Sequence, residues 1–259
     1  MASTSLISVL KKHQGSFHPV VPFDPGKDKL WPFDFTAGNK ELTSGQIADT
    51  ESFAEYINAV LAKQHCRYGI GGYGEHRTLY GRSKHFDANT ALSPAEGSLP
   101  GGSGGDASTD TEPRRLHLGT DLWGPAGTKL MSPLDGIVHS FAFNNQDSDY
   151  GATIILSHNL EGLGFYTLYG HLSLNSLKNL QEGRNIRKGE VIGEFGIRFE
   201  NGNWPPHLHF QLIRDMQGWK GDYPGVCKFS ERELWLKNCP EPDLILQMNQ
   251  YLPSSSAAY

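Results

Sequence analysis

The sequence predicts a mainly β protein, rich in loops and built on an antiparallel sheet or sandwich. Three observations lead there. From Arg114 onward, short apolar runs alternate with turn signals, at residues 136–143, 152–158, 164–172, 190–195 and 207–214. Several of these runs alternate apolar with polar residues, the period-2 pattern of a strand, and no helical pattern intervenes. The 30 glycines and 15 prolines, with only 37% apolar residues, add many turns.

In chain order, residues 1–48 combine Pro and Gly with scattered aromatics (Phe17, Phe23, Trp31, Phe33, Phe35). They read as an extended segment held on the main domain by those rings. Asp49-Thr50-Glu51 then opens a helix in which Phe53, Ile57, Val60 and Leu61 share one face, ending near Gln64. This is the one clear helix, a packing element. Residues 67–87 read as a glycine-punctuated hairpin whose Glu75, His76, Arg77 and Tyr80 could reach a groove but fit a solvated charged face better. No lysine follows its glycines, so it is not a phosphate loop. Residues 93–109 are low complexity, a surface loop or linker. Leu134-Asp135-Gly136 and Arg187-Lys188-Gly189-Glu190 are turns entering strands. Residues 230–236 suggest a short helix capped by Ser230. Pro240 and Pro242 interrupt the chain before a last helical turn or two over 243–250.

A net charge of −5, with no basic block, argues against nucleic acid and against a membrane surface, and no window reaches a membrane span. Three scattered cysteines, Cys66, Cys227 and Cys239, without a CxxC pair, read as ordinary thiols. The apolar run 6–10 is too short for a signal peptide, and the charges of Lys11 and Lys12 follow it. The expected compartment is therefore cytoplasmic, or periplasmic or secreted if export is non-classical or the chain has been trimmed.

Four of the eleven histidines fall in three stretches: His117-Leu118-Gly119-Thr120-Asp121, Leu168-Tyr169-Gly170-His171-Leu172, and Pro206-His207-Leu208-His209-Phe210. On a strand His207 and His209 face one side and Leu208 and Phe210 the other. A hydrolytic zinc site needs three protein ligands and an open position for water. His117, Asp121 and one histidine of the pair supply two nitrogens and one oxygen, and His171 can line the other side. His139 and His158 lie on expected strands outside these stretches and read as satisfied or exposed histidines. Trp123 and Trp204 flank them, as groove walls or as core.

These motifs, in this order, resemble the M23 peptidases of the lysostaphin and LytM type over roughly residues 114–214. Gly124-Pro125-Ala126-Gly127-Thr128 and Gly189-Glu190-Val191-Ile192-Gly193 support the likeness. The resemblance implies His117, Asp121 and His209 as ligands of one Zn2+ ion. It implies His171 and His207 as catalytic residues, dividing water activation and oxyanion stabilisation between them. It also implies an antiparallel sheet with a groove across it, and a zinc-dependent endopeptidase acting on peptidoglycan-type or glycine-containing peptides. Expected divisions are an N-terminal extension with one amphipathic helix (1–66), a hairpin and Gly/Ser-rich loop (67–112), an M23-like domain (113–240) and a C-terminal tail (241–259). Gln211 departs from the family pattern, which often has an acidic residue there. Competing readings are an intracellular zinc amidase on a small peptide-like substrate, a non-haem iron enzyme with a two-histidine, one-carboxylate triad, and a non-catalytic adaptor.

Overall fold

The computed structural model describes residues 5–87 and 112–253, so the low-complexity stretch 93–109 lies outside the described residues. In chain order the elements are α1 (Leu6–His13), β1 (Leu30–Phe33), α2 (Ser44–Ala48), α3 (Thr50–Gln64), β2 (Tyr68–Gly71), β3 (Leu116–His117), β4 (Thr120–Trp123), β5 (Lys129–Met131), β6 (Gly136–Asn144), β7 (Gly151–Leu160), β8 (Leu163–Leu172), β9 (Asn185–Ile186), β10 (Val191–Glu194), β11 (His207–Ile213), β12 (Val226–Cys227), α4 (Arg232–Asn238) and α5 (Asp243–Leu246). The protein is mainly β. Eight strands form one sheet in the order β1-β2-β4-β11-β8-β7-β6-β9, antiparallel except for the parallel pair β1–β2.

The two longest strands, β7 and β8, are joined by Glu161-Gly162, both with positive φ. That two-residue turn matches the right-handed twist of a hairpin. β11 lies inside the sheet and is buried along its whole length. Its Leu208, Phe210 and Leu212 enter a core closed by Leu6 and Leu10 of α1 and by Leu244, Ile245 and Leu246 of α5. Its other face carries His207, His209 and Gln211, so both sides are covered, one by hydrocarbon and one by the site. A second, aromatic core joins Phe53 and Ile57 of α3 to Phe33, Phe35, Trp123 and Trp204. α3 forms where the pattern placed it, with the Asp49 side chain accepting from Ser52 N at 2.8 Å.

Several expectations are corrected. Residues 67–87 do not form a hairpin: β2 enters the large sheet between β1 and β4, and two short 3-10 turns follow at Leu79–Arg82 and Lys84–Phe86. Gly69 serves close packing, since a Cβ there would lie 2.1 Å from the Phe33 ring. The N-terminal extension holds more than one helix. α1 is only eight residues long, capped by Ser5, and stands because Leu6, Val9 and Leu10 are buried; so short a helix owes its stability to packing. Ser230 does not cap α4; its hydroxyl donates to the Glu112 carboxylate and the helix starts at Arg232. The stretch expected as a C-terminal tail packs α5 into the main core. All three cysteines are free thiols. No described helix is long and apolar enough to cross a membrane.

His158 is a satisfied core residue. Its Nδ1–H donates to Asp135 O at 2.9 Å, and Nε2 meets the Thr167 hydroxyl at 2.8 Å. Burial lowers its pKa to about 4, against about 6.5 in an unfolded chain. The folded state therefore resists protonation. Its stability is intact above pH 6.5 and falls as the pH drops through 4, by up to about 3 kcal/mol from this residue. Urea unfolding midpoints measured from pH 7 to pH 4 are expected to fall, with a shallower slope in His158→Gln.

Candidate metal centre

Strands β4, β11 and β8 are neighbours, and their register assembles the site. His209 lies directly across from Asp121 on one side and Gly170 on the other, and His207 lies across from Trp123. Facing residues of paired strands point the same way, so Asp121 and His209 meet. His117 arrives from β3, with its backbone N–H donating to Glu75 O at 3.0 Å. Gly119 leaves the room this needs: a Cβ there would lie 2.5 Å from the His209 ring. His171 follows Gly170, and plain alternation would turn it to the opposite face. A register shift between β7 and β8 coincides with a left-handed His171 (φ 63°) and re-aims the ring into the site.

His117 Nε2 lies 2.9 Å from His209 Nδ1 and 3.3 Å from Asp121 Oδ1, and His209 Nδ1 lies 3.1 Å from the same oxygen. The outer atoms decide the protonation. His117 Nδ1 faces Gly72 O at 3.0 Å, and a carbonyl only accepts, so the proton is on Nδ1 and Nε2 is a bare lone pair. His209 Nε2 faces Gln211 Oε1 at 2.8 Å. The Gln211 amide nitrogen donates to Pro224 O at 3.1 Å and to Cys239 Sγ at 3.3 Å, which fixes its oxygen toward His209. His209 Nε2 therefore donates and Nδ1 is bare. Three lone pairs converge, with no proton between them, in a place where all three residues are buried.

Tetrahedral zinc with bonds of about 2.0–2.1 Å sets its ligand atoms about 3.3 Å apart, close to the spacing here. The donor set, two imidazole nitrogens and one carboxylate oxygen, suits a divalent metal. Charge points the same way. Arg77 donates to Asp121 Oδ2 at 2.5 Å and to Glu75 Oε2 at 2.6 Å. The formal sum of Glu75 (−1), Arg77 (+1) and Asp121 (−1) is −1, which a buried cation would offset. Burial pushes the Asp121 carboxyl up, but the His117 ring and the Arg77 guanidinium outweigh it and hold the pKa well below the usual range. Burial, reinforced by Arg77, lowers His117 to about 4.

His171 and His207 stand beside these three. His171 Nδ1 donates to Asn201 O and His207 Nδ1 to Pro205 O, each at 2.8 Å, so both Nε2 atoms are acceptors. Their rings are 4.1 Å apart, and His207 stacks on Trp123 at 3.9 Å. Burial holds both neutral: His207 falls to about 4, and His171 lies well below its ordinary value, pushed further by His207. Asn201 is itself pinned by the carbonyls of Gly196 and Trp204. Asp121, His171, His207 and His209 line one cleft of about 350 Å³, walled by Tyr80 and Trp204 among others.

All five residues singled out by the sequence thus come together. The expectation of a solvated face for Glu75, Arg77 and Tyr80 is corrected. Arg77 is fully buried against Asp121, Tyr80 is buried in the cleft wall, and Glu75 bridges Arg77 to Phe35 N. They arrive through β2, whose pairing with β4 no local pattern announces. Trp123 and Trp204 prove to be both core and cleft wall. Gln211 was legible as a neighbour, two residues beyond His209 on one strand face. Its role depends on Pro224 and Cys239, which spacing does not reveal.

The family model for peptidase family M23 matches residues 115–221. An uncharacterised metalloprotease of Haemophilus influenzae is 34% identical over 101 residues, 38% of this chain and 18% of its own length. An L-Ala–D-Glu endopeptidase of Bacillus subtilis is 28% identical over 107 residues (39% and 31%), and a peptidoglycan DD-endopeptidase of Vibrio cholerae is 28% identical over 115 residues (41% and 24%). The match thus spans under a third of each of these relatives. The family-model match includes His117, Asp121 and His209 and both flanking histidines, His171 and His207. Residues 115–221 of this chain thus match peptidase family M23, and the match extends to three metalloprotease or endopeptidase relatives.

Proposed function

We propose that the chain is a zinc-dependent metalloendopeptidase that binds one zinc ion and hydrolyses peptide bonds in peptidoglycan-type or glycine-containing peptides. The observation that carries this reading is the convergence of three unprotonated ligand atoms beside two imidazole acceptors in one cleft. Two relatives named as endopeptidases, one of them explicitly for peptidoglycan, support the substrate class. His117 Nε2, Asp121 Oδ1 and His209 Nδ1 would hold the ion, which would supply a Lewis acid and a water acidified to near neutrality.

The remaining work falls to the chain's own groups. With Nδ1–H tied to a carbonyl, His171 or His207 receives the proton of the attacking water at Nε2. The resulting Nε2–H then donates to the developing oxyanion or to the leaving amine. At 4.1 Å between rings, two imidazolium ions would repel, so the pair carries one proton at a time. Trp123 and the carbonyls of Asn201 and Pro205 hold both rings in place while that proton moves.

A cleft of about 350 Å³ is at the small end for ligand sites. That favours, as a second reading, amide hydrolysis in a short peptide-like substrate. Zinc-loaded protein incubated with cross-linked muropeptides, short muropeptides and glycine-rich peptides, read by mass spectrometry, decides between them. Cleavage confined to short peptides selects the second reading, and no cleavage with zinc bound defeats both.

Two sets of variants test the roles. His117→Ala is expected to lose zinc altogether, whereas His207→Ala keeps zinc and loses about 10²- to 10⁴-fold in kcat. Full zinc occupancy in His117→Ala would overturn the ligand assignment. Gln211→Leu removes the acceptor that fixes the His209 ring, and zinc affinity measured against a competing chelator is expected to drop about 10- to 100-fold.

A further inference from the structure

We infer that residues 72–77, which precede the M23 segment, complete the metal centre, with Arg77 as a positioning residue that keeps Asp121 a one-oxygen ligand. The inference rests on the metal-centre reading above and assigns a role that the family segment does not contain.

The outer atoms of two ligands are held from this short stretch. Gly72 O takes the His117 Nδ1 proton, and Glu75 O takes the His117 backbone N–H. Arg77 N donates to Arg115 O at 2.9 Å, which ties the stretch to the strand carrying His117. The Arg77 guanidinium then spans two carboxylates, Asp121 Oδ2 and Glu75 Oε2, and Glu75 Oε1 accepts from Phe35 N at 3.0 Å. Packing helps to hold it there. The guanidinium carbon sits 5.4 Å from the Phe35 ring and 5.9 Å from the Tyr80 ring, Nη1 is 3.3 Å from the Tyr80 hydroxyl, and a Cβ on Gly71 would come within 2.8 Å of Nη2.

The consequence concerns how many oxygens Asp121 can offer. A free carboxylate can present both to a cation. Here Oδ2 is occupied by a charge-assisted bond to a fully buried donor, and only Oδ1 faces the two histidines. Three ligand atoms leave a fourth position for water; a second oxygen from Asp121 would crowd it. Glu75 matters because it balances Arg77, so Asp121 is restrained without adding net positive charge behind it.

The test is the visible spectrum of the protein loaded with cobalt(II), in which four-coordinate metal absorbs strongly and higher coordination weakly. Wild-type protein is expected to show the strong band. Arg77→Met, with one cobalt bound, should lose at least half of the intensity as Oδ2 joins the metal. Arg77→Lys, which keeps a cation against Oδ2, should restore it. The paired replacement Glu75→Gln with Arg77→Met keeps the formal charge of the cluster at −1 and supplies the same reading if the single variant does not fold. A full-strength band in either methionine variant overturns the inference while leaving the proposed function standing. Failure of wild-type protein to bind cobalt overturns the metal-centre reading, and this inference with it.

Discussion

The register of β11 against β4 is the constraint on which the site depends. With His209 opposite Asp121 and His207 opposite Trp123, one strand pair sets one candidate ligand against another and a catalytic candidate against the ring it stacks on. Side chains on a strand alternate faces, so a slip of one residue would send both histidines into the hydrocarbon core and bring Leu208 into the cleft. The core prevents this: Leu208, Phe210 and Leu212 are fully buried on the far side. The packing that stabilises the sheet and the geometry that builds the centre are two faces of the same seven residues.

Burial gives the centre its chemical character. Every imidazole whose titration shifts in the cleft shifts downward, because a buried charge is costly. Backbone carbonyls fix the tautomers of His117, His171 and His207, so the lone pairs point inward without depending on solvent. On His209 the acceptor is a side chain, Gln211, whose orientation is dictated by Pro224 and Cys239. A glutamine in this place accepts the same hydrogen bond as a carboxylate without adding a negative charge beside His209.

Much of this was legible in the sequence, for identifiable reasons. Strands β6, β7, β8, β10 and β11 and helix α3 follow clear periodicities, and each formed within a few residues of its expected bounds, whereas β3, β4, β5 and β9 are short and no such pattern marks them. The five site residues lie in compact motifs whose order is informative. What escaped depended on contacts distant in sequence. α1 is too short for propensity to announce it. β2 is a glycine-rich stretch that reads as part of a local hairpin until β1 and β4 flank it. The inward aim of His171 requires a shift in strand pairing that simple alternation contradicts. Arg77 is an unremarkable charged residue until Asp121, 44 positions away, comes to lie against it.

The N-terminal strands have one more consequence, for the margins of the sheet. Without β1 and β2, β4 would present an unpaired row of backbone groups next to Asp121, an invitation to another chain. β2 covers that row, and the outermost strand β1 contains Pro32, which cannot donate a ladder hydrogen bond. The opposite margin ends in β9, only two residues long. Both borders are thus poor templates for strand addition. The segment that matches the peptidase family model, cut out alone, would trade that protection for a sticky border beside its own His117–Asp121–His209 cluster.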